Sequence, residues 1–382
     1  MSQTTAGSAA SPSGLRERIC ATAALNDGYL ERDQSGVFSR EAWGALAGTG
    51  FFAMPVPTEY GGFGFSLVDT LDIAEHLGRI SHDAGLNFSA ATHLASTTVP
   101  LVRFGHPEVQ ERYLPSAADG VLIGSHAVTE VGAGSDALSM TSTGRFEGDE
   151  IVLTGQKTFI TNGPVADLTV VYVRTEAEAG PLSLSAVLVP RETPGASFSA
   201  PLEKNTLRTS PIGTLTLHDC RVPRTHLLGG RGMGFLILDY VMSREILLAF
   251  TMNVGEMQRR LRSTVDHVRQ RQQFGQPLSS FQGVQDAIVE MHLSIETARF
   301  ALQAAAAEIE KGRRATAAVA TAKIIASRAN LSTAQQAIEL HGGAGVLTST
   351  GIESGLRDAI GGPIYSGSNA IQRQKIARSL GL

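Results

Sequence analysis

The segment His126–Asp136, with the sequence HAVTEVGAGSD, combines residue types that suit a loop around an anionic ligand. Gly132 and Gly134 let the backbone approach a ligand closely, and Thr129 and Ser135 offer hydroxyl donors beside free amides. A loop of this kind suits a flavin and its pyrophosphate. Taken alone, it is equally compatible with a glycine-rich turn that binds nothing.

A second segment, Gly155–Asn162 with the sequence GQKTFITN, strengthens the flavin interpretation. This segment leaves a predicted strand and carries an aromatic residue, Phe159, shortly before a hydroxyl residue, Thr161. The two segments together favour a flavin site over two unrelated turns.

Four later segments complete an ordered set of motifs. They are Arg271–Leu278 with Phe281–Gln282 (RQQFGQPL and FQ), Glu339–Gly345 (ELHGGAG), Leu356–Ala359 (LRDA) and Ile364–Arg373 (IYSGSNAIQR). With the first two, these segments resemble the acyl-CoA dehydrogenase family in order and approximate spacing. The resemblance covers nearly all of the chain from about Leu15. No single motif would be specific, but the ordered set is.

The resemblance implies FAD as the cofactor. It assigns FAD contacts to His126, Val128, Thr129, Gly134, Ser135, Phe159, Thr161, Arg271, Phe274, Gln282, Gly342, Gly343, Ser368 and Asn369. Thr129 would lie near the reactive end of the isoalloxazine and Ser135 toward the phosphates. Phe159 takes the place of an aromatic residue, often tryptophan, that covers one ring face, and Thr161 would lie near the flavin N5.

Some of these contacts would be made to the FAD of a neighbouring subunit. Arg271 resembles a guanidinium that reaches that pyrophosphate, a role that suits its planar fork of donors. Phe274, Gln282 and the Gly342–Gly343 pair resemble the rest of this cross-subunit site, whereas Ser368 and Asn369 resemble residues that close over the adenosine. The chain is therefore expected to form a homo-oligomer, a tetramer or a dimer.

The reaction of the family requires a base, and this chain departs from the commonest pattern there. A base removes the proton α to a thioester carbonyl while a hydride leaves the β carbon for flavin N5. Many members place a glutamate after the tyrosine of a Tyr-Glu-Gly-Thr segment, but here Ser366 follows Tyr365. A hydroxyl is too weak a proton acceptor, although the Ser366 backbone N–H could help to polarise the carbonyl.

A minority of the family carries the base on the first long helix of the C-terminal domain, and that position falls on Glu245 here. We therefore predict Glu245 as the base, with Ser135, Arg244 and Gly367 near the substrate. The alternative is a surface glutamate paired with Arg244 or a helix neighbour. A register shift of one residue is also open, because the family usually has arginine directly after this glutamate and this chain has Ile246.

The sequence is compatible with three functions. The first is FAD-dependent α,β-dehydrogenation of an acyl thioester, either acyl-CoA or acyl-carrier protein, with an electron-transferring flavoprotein as the acceptor implied by the family. The second is a flavin monooxygenase on the same fold, which needs no carboxylate base. The third is a non-catalytic acyl-binding protein, which the intact flavin motifs disfavour.

The elements that must position these residues indicate an α+β fold of three blocks. Residues 15–121 are predicted to form an N-terminal helical domain, residues 122–228 a middle β-barrel or sheet domain, and residues 229–382 a C-terminal four-helix bundle. Residues 1–14, rich in Ser, Thr, Ala and Gly, are predicted to be a disordered tail.

Local patterns support these blocks. The prolines and glycines of Phe51–Phe65 predict an ordered loop. Leu168–Arg174 and Leu184–Pro190 are β-rich runs that predict strands. Ile324, Leu331 and Ile338 recur at a two-turn spacing among many alanines, which predicts a buried bundle helix.

Composition excludes several other classes of protein. The formal net charge of −4 and the pI of about 6.2 disfavour a nucleic-acid-binding surface. The two cysteines, Cys20 and Cys220, have no metal or disulfide spacing, so we expect no metal site and a reducing, cytoplasmic location. No apolar run reaches the length of a membrane-spanning helix.

Overall fold

The structure is a computed structural model that describes residues 11–178 and 180–382. The helices of the first block are α1 Pro12–Ala21, α2 Tyr29–Ser35, α3 Arg40–Gly48, α4 Leu67–Ile80, α5 Ala84–Thr92, α6 Val99–Phe104 and α7 Pro107–Ala118. A π-helical turn, His93–Thr98, joins α5 to α6. The loop at Phe51–Phe65 contains only short 3₁₀ turns, as predicted.

Helix α1 begins at Pro12, which corrects the predicted end of the tail. The Ser11 hydroxyl accepts a hydrogen bond from the Gly14 N–H at 3.2 Å, and proline suits the first helical turn because its missing N–H is not needed there. A serine cap followed by proline therefore starts the helix before Leu15. The rest of the predicted tail, residues 1–10, lies outside the described residues.

The strands are β1 Gly124–Ala127, β2 Thr143–Glu147, β3 Glu150–Thr161, β4 Leu168–Arg174, β5 Leu184–Pro190, β6 Ala196–Phe198 and β7 Ile212–Pro223. They form one sheet in the order β1-β4-β2-β3-β7-β6, with β5 paired to β4. The bounds of β4 and β5 match the two predicted strand segments. Both runs are buried throughout their central residues, which explains their continuous apolar sequence.

The two faces of this sheet pack against different cores. On β4, Val170 and Tyr172 face a core shared with the helices, whereas Val171 faces a core made by the strands alone. The register pairs His126 of β1 with Val170, so both side chains point toward the helices. The sheet thus directs His126 and Tyr172 to one side.

The last block contains α8 Gly234–Gln270, α9 Gln282–Glu310, α10 Thr316–His341, α11 Ile352–Ala359 and α12 Asn369–Ser379, with a short hairpin of β8 Gln272–Gln273 and β9 Gln276–Pro277. The three domain types expected from the sequence are present, and the predicted α+β fold class is confirmed. On α10, Ile324 is buried, but Leu331 and Ile338 are only partly buried. Alanines such as Ala326 make most of its fully buried face.

Two glycines let α4 of the first block touch α8 of the last. A Cβ on Gly78 would stand 2.0 Å from the Met252 carbonyl oxygen, and a Cβ on Gly255 would stand 2.0 Å from the Glu75 carbonyl oxygen. Only glycine permits this backbone contact. The contact fixes α8, the helix that carries Glu245, against the N-terminal helices.

Over residues 11–178 and 180–382, no helix combines the length and the hydropathy that crossing a membrane demands.

Candidate active site

Glu245 lies well inside α8 and is buried, with 4% of its surface exposed. Its Oε1 accepts a hydrogen bond from the Ser366 hydroxyl at 2.5 Å, and its Oε2 accepts one from the Ser96 hydroxyl. The Nε2 atom of His126 stands 3.4 Å from Oε2. A buried carboxylate therefore has polar neighbours from the π-helical turn, from β1 and from the loop before α12.

Arg244 does not pair with this carboxylate. Its guanidinium carbon lies 3.3 Å from the centroid of the Tyr240 ring, and Nη1 donates to the Tyr240 carbonyl oxygen at 3.1 Å. The surface ion pair considered for Glu245 is therefore wrong. The predicted substrate residue Arg244 is turned away from the Glu245 carboxylate.

The π-helical turn that carries Ser96 is anchored to the sheet. The neighbouring Thr97 hydroxyl donates to the Ser125 carbonyl oxygen at 2.9 Å, and Ser125 lies in β1 beside His126. A π-helical turn is wider than an α-helical one, and such turns are frequent at functional sites. This connection places the Ser96 hydroxyl and the His126 ring on the same carboxylate.

The loop that carries Ser366 is held by an aromatic cluster. The Tyr365 ring packs 4.4 Å from that of Phe88 and 5.3 Å from that of Phe250, and its hydroxyl donates to Asn253 Oδ1 at 3.0 Å. Ser366 itself has φ +53, a left-handed conformation that is costly for a residue with a side chain. Tight packing of its neighbour sustains that conformation.

The N–H of Ser366 is available to a ligand. Within residues 11–178 and 180–382 it donates to no protein acceptor, although the Ser366 side chain is engaged with Glu245. Gly367, the next residue, also has a left-handed φ of +77. This arrangement leaves a backbone donor beside the carboxylate, as the interpretation of Ser366 required.

Burial and charge shape the other titratable groups of this cluster. Burial lowers the pKa of His126, while the nearby Glu245 carboxylate opposes that shift. Burial and then Glu245 raise the pKa of Tyr172, whose ring centroid is 6.1 Å from that of His126. At neutral pH both rings are therefore uncharged, and among the described residues the basic side chain paired with Glu245 is that of His126.

A buried ion pair fixes the predicted flavin loop that follows β1. The Glu130 carboxylate accepts bonds from Lys157 Nζ at 2.7 Å, from the Ser142 N–H at 2.9 Å and from the Thr141 N–H at 2.7 Å. Burial raises the pKa of Glu130, but these donors outweigh it and hold that pKa at about 2. The loop is thus fixed without any contribution from a ligand.

The two predicted flavin motifs meet at the ion pair of Glu130 and Lys157. Lys157 Nζ also donates to the Val128 carbonyl oxygen at 3.1 Å, and the Thr158 N–H donates to the Thr129 carbonyl oxygen at 2.8 Å. Val128 and Thr129 therefore lie beside the segment of β3 that carries Phe159.

The segment Gly155–Asn162 runs along β3, which corrects the expectation that it leaves a strand. A bulge interrupts its pairing with β7 after Lys157, and Phe159 adopts φ +55 with 63% of its surface exposed. Bulges re-aim side chains, and this one turns the ring outward near Thr161. An exposed aromatic ring beside a hydroxyl fits a flavin ring.

The glycine loop fits the phosphates of FAD. Gly134 and Ser135 are exposed, and in the described part of the chain their N–H groups donate to no protein acceptor. A Cβ on Gly132 would meet nothing within 4 Å, so the space beside the loop is open. Unpaired amides in a fixed loop are the donor set that a pyrophosphate requires.

The cross-subunit residues lie on the surface of this chain. Arg271, Gln282, Gly342 and Gly343 are exposed, and Phe274 has 93% of its surface exposed. Gln282 uses its side-chain amide to bond Asp286 at 2.8 Å.

A histidine pair connects the two parts of this surface. The rings of His267 and His341 stack with centroids 4.2 Å apart, next to Arg271 on one helix end and Gly342 on the other. The pair thus brings the end of α8 to the end of α10.

The two residues predicted to close over the adenosine differ in their orientation. Ser368 caps α12 by accepting from the Ile371 N–H at 3.4 Å. The Asn369 side chain points inward, where Lys323 Nζ donates to its Oδ1 at 2.9 Å and its Nδ2 donates to the Ser327 hydroxyl at 3.0 Å. These internal bonds hold the amide of Asn369 in the interior, whereas Ser368 is only partly buried.

Sequence reasoning did not find Ser96 and Tyr172. The signal that could have shown Ser96 is the polar run Ser96–Thr98, which follows His93 closely in a stretch rich in alanine and leucine. All residues of that run are buried. Buried polar groups require partners, so such a run indicates a polar cavity. Tyr172 gives no such signal, because tyrosine is common in buried strands.

Comparisons with known proteins identify the family and the fold. The family models of the acyl-CoA dehydrogenase N-terminal, middle and C-terminal domains match residues 17–121, 125–220 and 232–381, respectively. The L-prolyl-(peptidyl-carrier protein) dehydrogenase of Pseudomonas fluorescens is 36% identical over 351 residues, which are 92% of this chain and 92% of that protein.

Two solved structures have the same fold at similar identity. The prolyl acyl carrier protein oxidase AnaB has a TM-score of 0.94 and is 34% identical, with 97% of this chain and 99% of that chain covered. PigA with FAD and proline has a TM-score of 0.93 and is 32% identical, with 100% and 98% covered.

Proposed function

We propose that Glu245 removes the α proton of a prolyl-type thioester on a carrier protein. This chain belongs to the acyl-CoA dehydrogenase family and catalyses FAD-dependent dehydrogenation of an acyl thioester. The observation that carries the proposal is the Glu245 carboxylate itself, buried and fixed by donors from three different elements. The dehydrogenase relatives do not favour the monooxygenase alternative.

The residues of the chain divide the reaction between them. Glu245 takes the proton, and the free N–H of Ser366 donates to the thioester oxygen, on which negative charge develops as that proton leaves. Phe159, Thr161 and the loop at Gly134 hold FAD, which supplies the hydride acceptor when bound. Glu245 is buried, which keeps bulk water away from the carboxylate.

The polar surroundings of Glu245 support a small polar acyl group. Ser96, His126 and Ser366 touch or face the carboxylate, and the buried Tyr172 lies beside the His126 ring. A long hydrocarbon chain would gain nothing from these groups and would desolvate them. A cyclic amino-acyl group, which carries a nitrogen on the α carbon, can hydrogen-bond to them. Two relatives are named for a prolyl group attached to a carrier protein, which supports a cyclic amino-acyl substrate.

Glu245→Gln tests the assignment of the base. The amide keeps the size of the side chain but cannot accept a proton, so we expect bound FAD to remain while its reduction by a prolyl carrier-protein thioester slows by at least roughly 10²-fold. Anaerobic bleaching of the flavin band in a stopped-flow instrument measures this rate. A rate close to that of the wild type would exclude Glu245 as the base.

A panel of thioesters tests the substrate separately. We expect prolyl thioester on a carrier protein to bleach the wild-type flavin faster than prolyl-CoA, and butyryl-CoA or octanoyl-CoA to bleach it least. Faster bleaching by the straight-chain CoA esters would overturn the prolyl-type substrate while leaving the role of Glu245 intact.

The remaining partners are further proposals. We propose an electron-transferring flavoprotein as the acceptor, and oxygen uptake during turnover would argue instead for direct oxidation by oxygen. We propose a homo-oligomer, tetramer or dimer, because Arg271 and Phe274 are exposed in the single chain. We place the protein in the cytoplasm, since Cys20 and Cys220 form no disulfide.

We also propose domain boundaries that follow the predicted blocks, at residues 15–121, 122–228 and 229–382. The change from helix to strand between Ala118 and Gly124, and back to helix at Gly234, supports them. Limited proteolysis near these boundaries would test them.

A further inference from the structure

His126 was assigned to the flavin site by its position in a motif, but its ring nitrogen faces the base. Nε2 lies 3.4 Å from Glu245 Oε2, and both side chains are largely buried, with 14% and 6% of their side-chain surfaces exposed. That separation is long for a hydrogen bond, but catalytic contacts are often long before substrate binds and shorten when it does. The contact therefore requires its own explanation.

The two oxygens of the Glu245 carboxylate have different surroundings. Oε2 accepts from the Ser96 hydroxyl and faces His126 Nε2, so donors occupy or approach both of its lone pairs. Oε1 accepts from the Ser366 hydroxyl alone among the described residues. One lone pair of Oε1 is left open, and that lone pair is the place for an incoming α proton.

We propose that His126 is a positioning residue for the base: its neutral ring donates the Nε2 proton to Glu245 Oε2 and so turns the open lone pair of Oε1 toward the substrate. The proposal rests on Glu245 being the base. A neutral donor suits this task, because a buried cation in the same place would bind the carboxylate as an ion pair and weaken it as a base.

The surroundings keep the ring neutral. Burial lowers the pKa of His126, and Glu245 is the charged group that opposes this shift. From β4 the ring is faced by Tyr172, whose pKa burial raises. The loop before α12 places Tyr365 in the same charged surroundings as Glu245, and burial raises the pKa of Tyr365 as well. On α8, Arg244 is turned toward Tyr240 and supplies no cation.

The π-helical turn contributes no competing cation either. Its His93 receives the Gly124 N–H at Nδ1, at 3.0 Å, and its Nε2 lies 3.1 Å from the Ala117 carbonyl oxygen. Burial lowers the pKa of His93 to about 4, so this ring is neutral at pH 7. At neutral pH, the groups that face His126 therefore leave it an uncharged donor.

Two substitutions at position 126 separate positioning from packing. Phenylalanine keeps a flat ring but has no donor, whereas the side-chain amide of glutamine can place an N–H close to the position of Nε2. With prolyl carrier-protein thioester, we expect His126→Phe to slow flavin bleaching by roughly 10–100-fold, the effect of losing a bond to a charged group. We expect His126→Gln to stay within about 5-fold of the wild type.

The pH profile gives a readout that packing alone would not move. In the wild type, protonation of His126 at low pH converts the donor into a cation that holds Glu245 as an ion pair, so bleaching slows. Glutamine has no such titration, and the His126→Gln variant should keep its bleaching rate to lower pH than the wild type. Identical acid limbs in the two proteins, or equal rates for wild type and His126→Phe, would overturn the proposal.

A measurement without substrate keeps this inference separate from the proposed function. The titration of His126 can be followed by ¹³C NMR of histidine-labelled protein, with the signal identified by its absence in His126→Phe. Replacing the carboxylate in Glu245→Gln should lower the pKa of His126, because the opposing charge is lost. An unchanged titration would show that the two side chains do not interact, whatever the substrate proves to be.

Discussion

Around Glu245 the chain supplies every polar neighbour from its own elements, whereas at Arg271 and Phe274 it presents bare side chains to solvent. The first region is bound to the core, so its geometry is set when the chain folds. In the second, Phe274 is almost fully exposed and its ring meets that of Phe281 with centroids 6.2 Å apart, as expected of a surface that a neighbouring subunit completes. Changes in the buried region should therefore affect folding or the rate of chemistry, and changes at the surface should affect FAD retention.

The largest effect is expected from the ion pair beneath the flavin loop. Lys157→Met leaves the buried Glu130 carboxylate without its cation, and removal of one partner of a buried pair costs about 3–5 kcal/mol. We expect a correspondingly lower free energy of unfolding in urea, followed by far-UV circular dichroism. The double variant Lys157→Met/Glu130→Gln should recover part of this loss. Equal stability of wild type and Lys157→Met would show that the pair does not support the loop.

The buried region also predicts a dependence of stability on pH. Burial raises the pKa of Asp358 to about 7, above the value near 4 in an unfolded chain. Between these values the folded state holds a proton that the unfolded state releases, so stability falls as pH rises, by at most about 1.4 kcal/mol per pH unit.

Asp358→Asn provides the matched comparison, because the amide oxygen can still accept from the Leu207 N–H. We expect the free energy of unfolding of this variant to vary less between about pH 4 and pH 7 than that of the wild type. Parallel curves for the two proteins would show that Asp358 is ionised across this range.

At the exposed surface the expected loss is of cofactor and not of fold. We propose that Arg271 makes a charge-assisted contact to the FAD of a neighbouring subunit, so we expect Arg271→Ala to weaken FAD binding by roughly 10–100-fold. The ratio of flavin absorbance to protein absorbance after gel filtration measures retention. Arg262→Ala, which changes an exposed arginine within α8, should retain FAD. Full retention by Arg271→Ala would contradict the cross-subunit assignment and leave the Glu245 region unaffected.

The sequence predicted the helices and strands better than it predicted the contacts between residues. The strands at Leu168–Arg174 and Leu184–Pro190 were predicted with their ends, because buried β-rich runs between breakers define their own limits. The start of α1 was missed, since the Ser11 cap lies in a stretch whose composition resembles a disordered tail. Composition averages over a segment, whereas a cap depends on one side chain.

In the candidate site, too, the sequence predicted residues better than it predicted their contacts. Motif order identified Glu245 and Ser366, and the structure brings these residues into contact across 121 positions of sequence. Motif order did not predict that Ser96 would bond the same carboxylate, 149 positions away, or that His126 would face it. Such contacts depend on the packing of β1, α8 and the π-helical turn. No periodicity or spacing in the sequence encodes that packing.

The smallest predicted effect tests whether Ser96 acts on the reaction or merely fills space. Ser96→Ala removes one donor from Glu245 Oε2 and leaves the carboxylate otherwise held by Ser366. Because the loss of one hydrogen bond to a charged group is partly offset by the remaining donors, we expect flavin bleaching to slow by about 5–10-fold with FAD content unchanged.

Ser89→Ala is the matched control for Ser96→Ala. It removes a buried hydroxyl from the preceding helix α5, and that hydroxyl bonds Ser210 at 2.8 Å and not Glu245. We expect Ser89→Ala to lower stability without slowing bleaching. If both variants slow bleaching equally, the effect of Ser96 is one of packing. A selective effect of Ser96→Ala would show that the π-helical turn is part of the machinery that holds the base.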